Sequence, residues 1–206
     1  MKQISKKKWC IVILIVILVV IAAGRIIWIN NRWPQTQDVI IPMGEPFTDQ
    51  DISIEVLDSV LGSAKETLQY YGRPSEEISE NEVLTQINYG WHGYVMAVKM
   101  RITNHSTEDV YIGECLFPYV ESLQWHNGYD LFSAPLFDEN NENQVRSGET
   151  VDVIYPCMVY QEHFRDKEWK ELDKREFYMS KPPLYPTKTM LVCTPQLLSS
   201  AQMEFD

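Results

Sequence analysis

From Trp9 to Ala23 (WCIVILIVILVVIAA) the chain runs fifteen residues without a charge, directly after MKQISKKK, which holds four lysines and no acid. No other feature constrains the fold as much, because a segment this apolar is a membrane span or a cleaved signal and not the surface helix of a soluble domain. At about 1.5 Å of rise per residue it covers roughly two-thirds of a ~30 Å hydrocarbon core. Extension through Gly24, Arg25 and IIWI to Ile29 reaches about 20 residues, with Arg25 near the outer end, where its side chain can snorkel to the headgroups. Trp9, Trp28 and Trp33 flank the segment as interfacial anchors do. Lys2, Lys6, Lys7 and Lys8 predict a cytoplasmic N-terminus and place everything beyond residue 33 outside the cell. Residues 1–8 then form a basic cytoplasmic tail and residues 9–29 a transmembrane signal-anchor helix. The competing reading is a cleaved signal peptide with Ala22-Ala23-Gly24 at its exit. Cys10 precedes the apolar run, whereas a lipid-modified cysteine follows it.

Charge divides the chain sharply. Six of the 18 basic residues lie in the first 33 positions, leaving 12 against all 29 acidic residues, a net of −17 in the ectodomain. That balance disfavours nucleic acid and anionic lipid as partners of the domain, since both need a basic surface. It suits cationic ligands, divalent ions or simple solubility. Three cysteines, Cys115, Cys157 and Cys193, fall in apolar strand-like runs. They allow one disulfide with a thiol left over, or three buried free thiols.

Residues 30–48 contain Pro34, Pro42 and Pro46 and read as an extended stalk. The ectodomain proper is expected over 49–196, with 197–206 as a C-terminal tail. Ile52, Ile54 and Val56 alternate with Ser53 and Glu55, the pattern of a half-buried strand. Residues 63–71 read as a short helix closed by Gly72. In YVMAVKMRIT, Met96, Val98, Met100 and Ile102 share one face, and Ala97, Lys99, Arg101 and Thr103 the other. Asn104-His105-Ser106 makes a turn, and DVYIGECLFPYVES returns as one bent or two short strands. Asn127-Gly128 between strand-like flanks predicts a two-residue hairpin. In VDVIYPCMVY, Val151, Val153, Tyr155, Cys157 and Val159 share a face. Residues 161–173 fit a charged helix with Phe164, Trp169 and Leu172 on its apolar side. REFYMS and TKTMLVCT are the last two strands. Many short strands with antiparallel turns and few helices indicate a mainly β protein, an antiparallel β-sandwich with one or two short helices behind the N-terminal transmembrane helix.

Met43-Gly44-Glu45-Pro46 before the first strand, the run Val98–Asn104 (VKMRITN) and Arg146-Ser147-Gly148-Glu149-Thr150 before an alternating strand together resemble a known family. These are the immunoglobulin-like (telokin-like) domains of uncharacterised cell-surface proteins and lipoproteins of Gram-positive bacteria. The resemblance spans residues 39–194 and departs at 62–90 and 161–173. It implies an immunoglobulin-like sandwich at the cell surface and brings no catalytic residues.

Two similar segments, Trp91-His92-Gly93-Tyr94 and Trp125-His126-Asn127-Gly128-Tyr129, each set an indole and an imidazole beside a glycine. Together Trp91, His92, Tyr94, Trp125, His126 and Tyr129 are the candidate ligand platform, since aromatic faces suit sugars and cationic side chains. Cross-strand packing beside hairpin turns is the bland reading of the same residues. Asp138, Asn140, Glu142, Gln144 and Glu149 partly follow the oxygen spacing of an EF-hand loop, but Asn143 stands where that loop needs glycine, and an acidic solvated loop explains them better. His92, His105, His126 and His163 show no metal-site spacing. Asn104-His105-Ser106 matches a glycosylation sequon, which carries little weight because the resemblance implies a bacterial protein.

With no complete catalytic, cofactor or metal signature, the expectation is a non-enzymatic surface module, held by the membrane through its helix and binding a surface protein, a peptide or an envelope polymer. The alternative is a ligand-sensing or accessory subunit of a membrane transporter complex.

Overall fold

The computed structural model describes residues 6–32, 36–73, 93–115, 119–128, 144–180 and 186–205. Helix α1 (Lys6–Arg32) continues unbroken through Ala22-Ala23-Gly24. Within its stretch Ile11–Arg32 (22 residues) an 18-residue window reaches a mean hydropathy of 3.0, and none of that window is buried. Arg32 lies over the Trp28 ring with 5.3 Å between guanidinium and ring centre.

The centre of the domain is a pair of long strands. β3 (Ile52–Gly62) runs antiparallel to β4 (Gly93–Asn104), which pairs on its other side with β9 (Thr150–Tyr160). Alternation sends Met96, Val98, Met100 and Ile102 into the main core, as expected, with Tyr155, Cys157 and Val159 beside them. Arg101 turns outward onto Asp152, 2.9 Å away, and Lys99 reaches the same carboxylate at 3.4 Å. In β3 the alternation changes phase at Leu57, where the register with β4 jumps from Val56 to Asp58. The bulge lets Ile54 and Val56 before it and Leu61 after it face the same core, while Val60 turns to the opposite side. There α2 (Ala64–Tyr70) covers the sheet, and Ala64 and Leu68 pack with Val60, Val95, Ala97 and Met158 in a second core. Ser63 caps α2 in a capping box with Glu66, and Gly72 follows at φ +69, the left-handed turn that a helix end requires.

The facing sheet has the order β1 (Gln37–Ile41), β11 (Thr187–Val192), β10 (Tyr178–Ser180), β6 (Tyr119–Ser122), β7 (Trp125–Gly128). Val120, Met179 and Leu191 from this sheet meet the β4 face, which makes the fold the expected β-sandwich. A small ribbon of β5 (Val110–Tyr111) and β8 (Gln144–Val145) closes one end, and the one-turn helix α3 (Ile112–Cys115) separates β5 from the β6 segment. Pro156 is tolerated in β9 because that strand is an edge and needs no ladder N–H there. Asn127 Nδ2 donates to Met158 O at 2.7 Å, tying β7 of one sheet to that edge of the other. Cys115, Cys157 and Cys193 are buried thiols that form no disulfide, the second of the two expected outcomes.

Several expectations need correction. The stalk over 30–48 is instead the end of α1, then β1 and β2 (Phe47–Asp49), with 33–35 outside the described residues. The β-branched run Val39-Ile40-Ile41 pairs in parallel with β11, and Pro42 and Pro46 flank the turn between the two strands. The tail expected over 197–206 is structured through Phe205. β12 (Gln196–Leu197) joins β3 in parallel, and α5 (Ser199–Phe205) buries Ala201 in the main core. The sandwich therefore carries a parallel pair in each sheet. The helix expected over 161–173 breaks into a 3-10 turn (Gln161–His163), α4 (Asp166–Lys170) and a second 3-10 turn (Leu172–Lys174). Phe164, extended at φ −120 and ψ 155, interrupts it by turning into the core.

The predicted Asn127-Gly128 hairpin turn is displaced. Both residues lie inside β7, paired with Val120 and Tyr119, and the two-residue loop is Leu123-Gln124. Asn104 bears out the small weight given to its sequon. Fully buried, it donates through Nδ2 to Glu108 O (2.8 Å) and Val145 O (3.0 Å) and accepts from Ser106, so its amide is not available to a glycan.

Candidate functional site

The β6–β7 hairpin is held from below by Ser122, whose hydroxyl donates to Glu176 O at 2.8 Å. That fixes Trp125, the first residue after the loop, against the segment following β9. Its ring stacks on Phe164 (5.3 Å, 28°) and meets Phe177 edge-on (5.9 Å, 76°). Phe164 in turn packs on Trp169 at 5.8 Å, and Trp169 stacks on Tyr94 at 6.0 Å and 9°. The result is a continuous aromatic row, Phe177–Trp125–Phe164–Trp169–Tyr94, which crosses from one sheet to the other. Tyr94 ends it by donating its hydroxyl to Ser200 O at 3.3 Å.

The six platform residues are thus divided. Tyr94 and Trp125 are brought into one assembly, but they are 6% and 7% exposed, so their faces serve the core and offer no open stacking surface. His126 points outward beside Tyr119, ring centres 6.4 Å apart. Trp91, His92 and Tyr129 lie outside the described residues, as do positions 138–143 of the acidic loop. Among the described residues no cluster of three or more His, Cys, Asp or Glu side chains could hold a metal ion.

Beside the Trp125 edge of the row the surface opens into a cavity of about 340 Å³, lined by Gln124, Trp125, His163, Phe164, Arg165 and Arg175, with Glu162 and Glu168 completing the wall. Trp125 Nε1 donates to His163 Nδ1 across 3.4 Å, which requires that nitrogen to be unprotonated. Arg175 is the notable member. Its side chain is only 11% exposed, and its guanidinium lies 5.7 Å from the Phe164 ring centre. The nearest carboxylate oxygen, Glu168 Oε1, is 3.8 Å away, beyond hydrogen-bonding reach. The other Glu168 oxygen accepts the Arg165 N–H at 3.0 Å, where it caps α4. Sequence reasoning found Phe164 as part of an apolar face but missed Arg175, which sits in an unpatterned loop and becomes conspicuous only once the cavity is seen.

The nearest approach to a nucleophile and base is Ser53 Oγ to His105 Nε2 at 2.8 Å, with Thr48 Oγ1 on the same serine at 2.7 Å. This chain of hydroxyls lies on the exposed outer face of the β2–β3–β4 ladder. Among the described residues no acidic side chain is bonded to the imidazole, the third part that a catalytic triad needs.

Fold and site together define a β-sandwich domain with a shallow, arginine-floored cavity, preceded by an apolar helix long enough to cross a membrane. The chain belongs to the family described as Domain of unknown function (DUF5028), whose model matches residues 41–189. The telokin-like family expected from the sequence is not the one matched. The chain is similar to an uncharacterized beta-sandwich protein from Clostridium difficile 630, with 10% identity, 77% of this chain and 95% of that chain covered, and a TM-score of 0.46. It is similar also to a functionally unknown protein from Listeria monocytogenes EGD-e, with 12% identity, 76% and 83% coverage and a TM-score of 0.46. A conserved hypothetical protein from Bacillus anthracis shows 13% identity, 66% and 86% coverage and a TM-score of 0.37. No curated protein matches the chain in sequence.

Proposed function

We propose that the chain is a single-pass membrane protein whose β-sandwich is displayed outside the cytoplasm and acts by binding, without catalysis. The carrying observation is α1. Its 22-residue stretch Ile11–Arg32 is apolar, and no part of it is buried by the rest of the chain. Such a rod has about the length of a hydrocarbon core and needs one to be stable. Continuity through Ala22-Ala23-Gly24 to Arg32 supports an anchor over a signal peptide, whose apolar region runs to about 7–15 residues. Orientation follows from the lysines at positions 2, 6, 7 and 8 and from the acidic domain beyond. The open cavity beside Trp125 supports binding of a surface protein, peptide or envelope polymer. Among the described residues its wall carries no serine, threonine or cysteine to act as a nucleophile.

Protease added to intact cells stripped of their wall should digest residues 34–206 and leave residues 1–24 protected. A protected domain, or a shed protein beginning near Arg25, would refute the anchored topology.

A further inference from the structure

A guanidinium carries five hydrogen-bond donors in a planar fork. The Arg175 side chain is only 11% exposed, and among the described residues its fork makes no hydrogen bond, so the little solvent it meets lies on the cavity side. Among the described residues its electrostatic partners are the Phe164 ring at 5.7 Å and the Glu168 carboxylate at 3.8 Å. A charge largely withdrawn from bulk water ordinarily finds hydrogen-bond acceptors. The adjacent acid leaves the donors open, because Glu168 Oε1 stands 3.8 Å away, an ion-pair distance too long for a hydrogen bond, while its other oxygen caps α4. The arginine is nevertheless held in place, by stacking on Phe164 and by its own N–H bonded to Leu172 O at 3.2 Å. It lines a cavity whose other wall is the edge of Trp125. Donors fixed in advance, empty and facing a cavity describe one half of a bidentate contact.

We infer that the cavity takes a carboxylate carried on a small apolar or aromatic body, with the carboxylate on the Arg175 fork and the body against Trp125 and Phe164. A volume of about 340 Å³ is at the small end for ligand sites and suits one residue of a chain rather than a cofactor. The charge on the wall selects among anions. Glu162 and Glu168 stand close enough to repel a phosphate dianion, whereas a carboxylate carries one charge and matches the fork. The free end of a peptide and an acidic sugar derivative of an envelope polymer share this chemistry. The inference rests on the binding-module reading and names the ligand class of that same site.

The test uses the full chain in detergent micelles, following the Trp125 indole N–H by NMR, its signal assigned by its loss in Trp125→Phe. N-acetylphenylalanine should shift that signal saturably. Its amide should bind at least about tenfold more weakly, the loss expected for a charge-assisted pair. Arg175→Gln should weaken the acid by a similar factor, and Arg175→Lys, which keeps the charge without the fork, by less. A muramic-type sugar acid in place of the peptide probe separates the two sources: tighter binding of either assigns the source and upholds the carboxylate. Equal binding of acid and amide by the parent chain overturns the inference and needs no variant to fold. So does inorganic phosphate binding as tightly as the acid, or no saturable shift up to about 50 mM, a concentration at which even a millimolar site is filled. Micelles remove the question of membrane sidedness, so failure here leaves the topology to the protease experiment.

Discussion

Asn104 ends the longest strand of the sandwich and uses its whole side-chain amide, and replacing it tests the end of the fold where β3, β4, β8 and β9 meet. Both Nδ2 hydrogens go to backbone carbonyls, Glu108 O at 2.8 Å and Val145 O at 3.0 Å, and Oδ1 accepts the Ser106 N–H at 2.9 Å and its hydroxyl at 2.7 Å. Asn104→Ala removes four hydrogen bonds worth about 0.5–1.5 kcal/mol each and strands the carbonyl of fully buried Val145; the Ser106 groups and Glu108 O, nearer solvent, recover water. The expected cost is about 3 kcal/mol. Asn104→Asp keeps the shape but turns two donors into acceptors facing two carbonyl oxygens. At pH 7 it should cost more than the alanine, on the order of 4 kcal/mol, since a buried carboxylate is left against like dipoles. Its folded-state pKa must then lie above the unfolded one, so the penalty is complete at high pH and shrinks as pH falls through the folded value. Urea unfolding of both variants at pH 8 and pH 5, read by tryptophan fluorescence, measures all of this. Costs below about 1 kcal/mol, or an aspartate penalty that grows in acid, would show that the network does not hold this end together.

Other consequences follow from the same structure. Glu66 is pushed up by desolvation, but hydrogen bonds from the Ser200 hydroxyl and N–H and from Ser63 outweigh this and hold it below its ordinary 4.5. Its contribution is therefore complete above about pH 4.5 and is lost as pH falls through the folded value; Glu66→Gln should cost about 1 kcal/mol at pH 7 and flatten the acid side of the urea midpoint between pH 5 and 3. In a Cys10→Ser chain Cys115, Cys157 and Cys193 should resist a thiol reagent until denaturant is added and then all react, because all three are buried and burial pushes the Cys193 thiol well up; one fast native thiol, or a single thiol in denaturant, overturns this. Val98→Asp, at a fully buried position, should abolish the folded domain, seen as loss of strand circular dichroism. Leu123→Gly should raise the unfolding free energy read from urea by up to about 1 kcal/mol, since Leu123 sits at φ +54 and is 81% exposed.

The centre of the fold was legible because alternation there reports a single physical fact, burial on one face. Ile54, Val98, Met100 and Tyr155 are inside for that reason. The helix after β3 was equally plain, since Ser63, Glu66 and Gly72 stand where local capping chemistry needs them. Legibility failed where pairing is decided at long range. Val39-Ile40-Ile41 is a short apolar run among prolines, and only β11 as a neighbour makes it a strand. The last ten residues carry little periodicity, and α5 docks through Ala201 and through Ser200 on Glu66, which lies 134 positions earlier. The cavity was illegible because Arg175 has no sequence partner. Its meaning comes from Phe164 and Glu168 on one side and Trp125 on the other.

The displaced hairpin shows how such conflicts are decided. Asn-Gly is the strongest local hairpin signal, and a loop at Leu123-Gln124 puts a branched residue at positive φ at a cost of about 1–2 kcal/mol. With the loop at Leu123-Gln124, however, Ser122 opposes Trp125 and Val120 opposes Asn127. All four then face the other sheet. Ser122 reaches Glu176 O, Asn127 reaches Met158 O, and Trp125 enters the aromatic row. A turn at Asn127-Gly128 would withdraw Asn127 from β9 and shift the partners of Trp125. Burying an indole among aromatic rings is worth several kcal/mol, about 3–5 by large-to-small substitution, and each hydrogen bond adds about 1. Tertiary contacts thus outweigh the local preference by a clear margin. The same strand shift that overrides Asn127-Gly128 carries Trp125 to the wall of the cavity, so the most misleading local signal in the chain lies beside the site it helps to build.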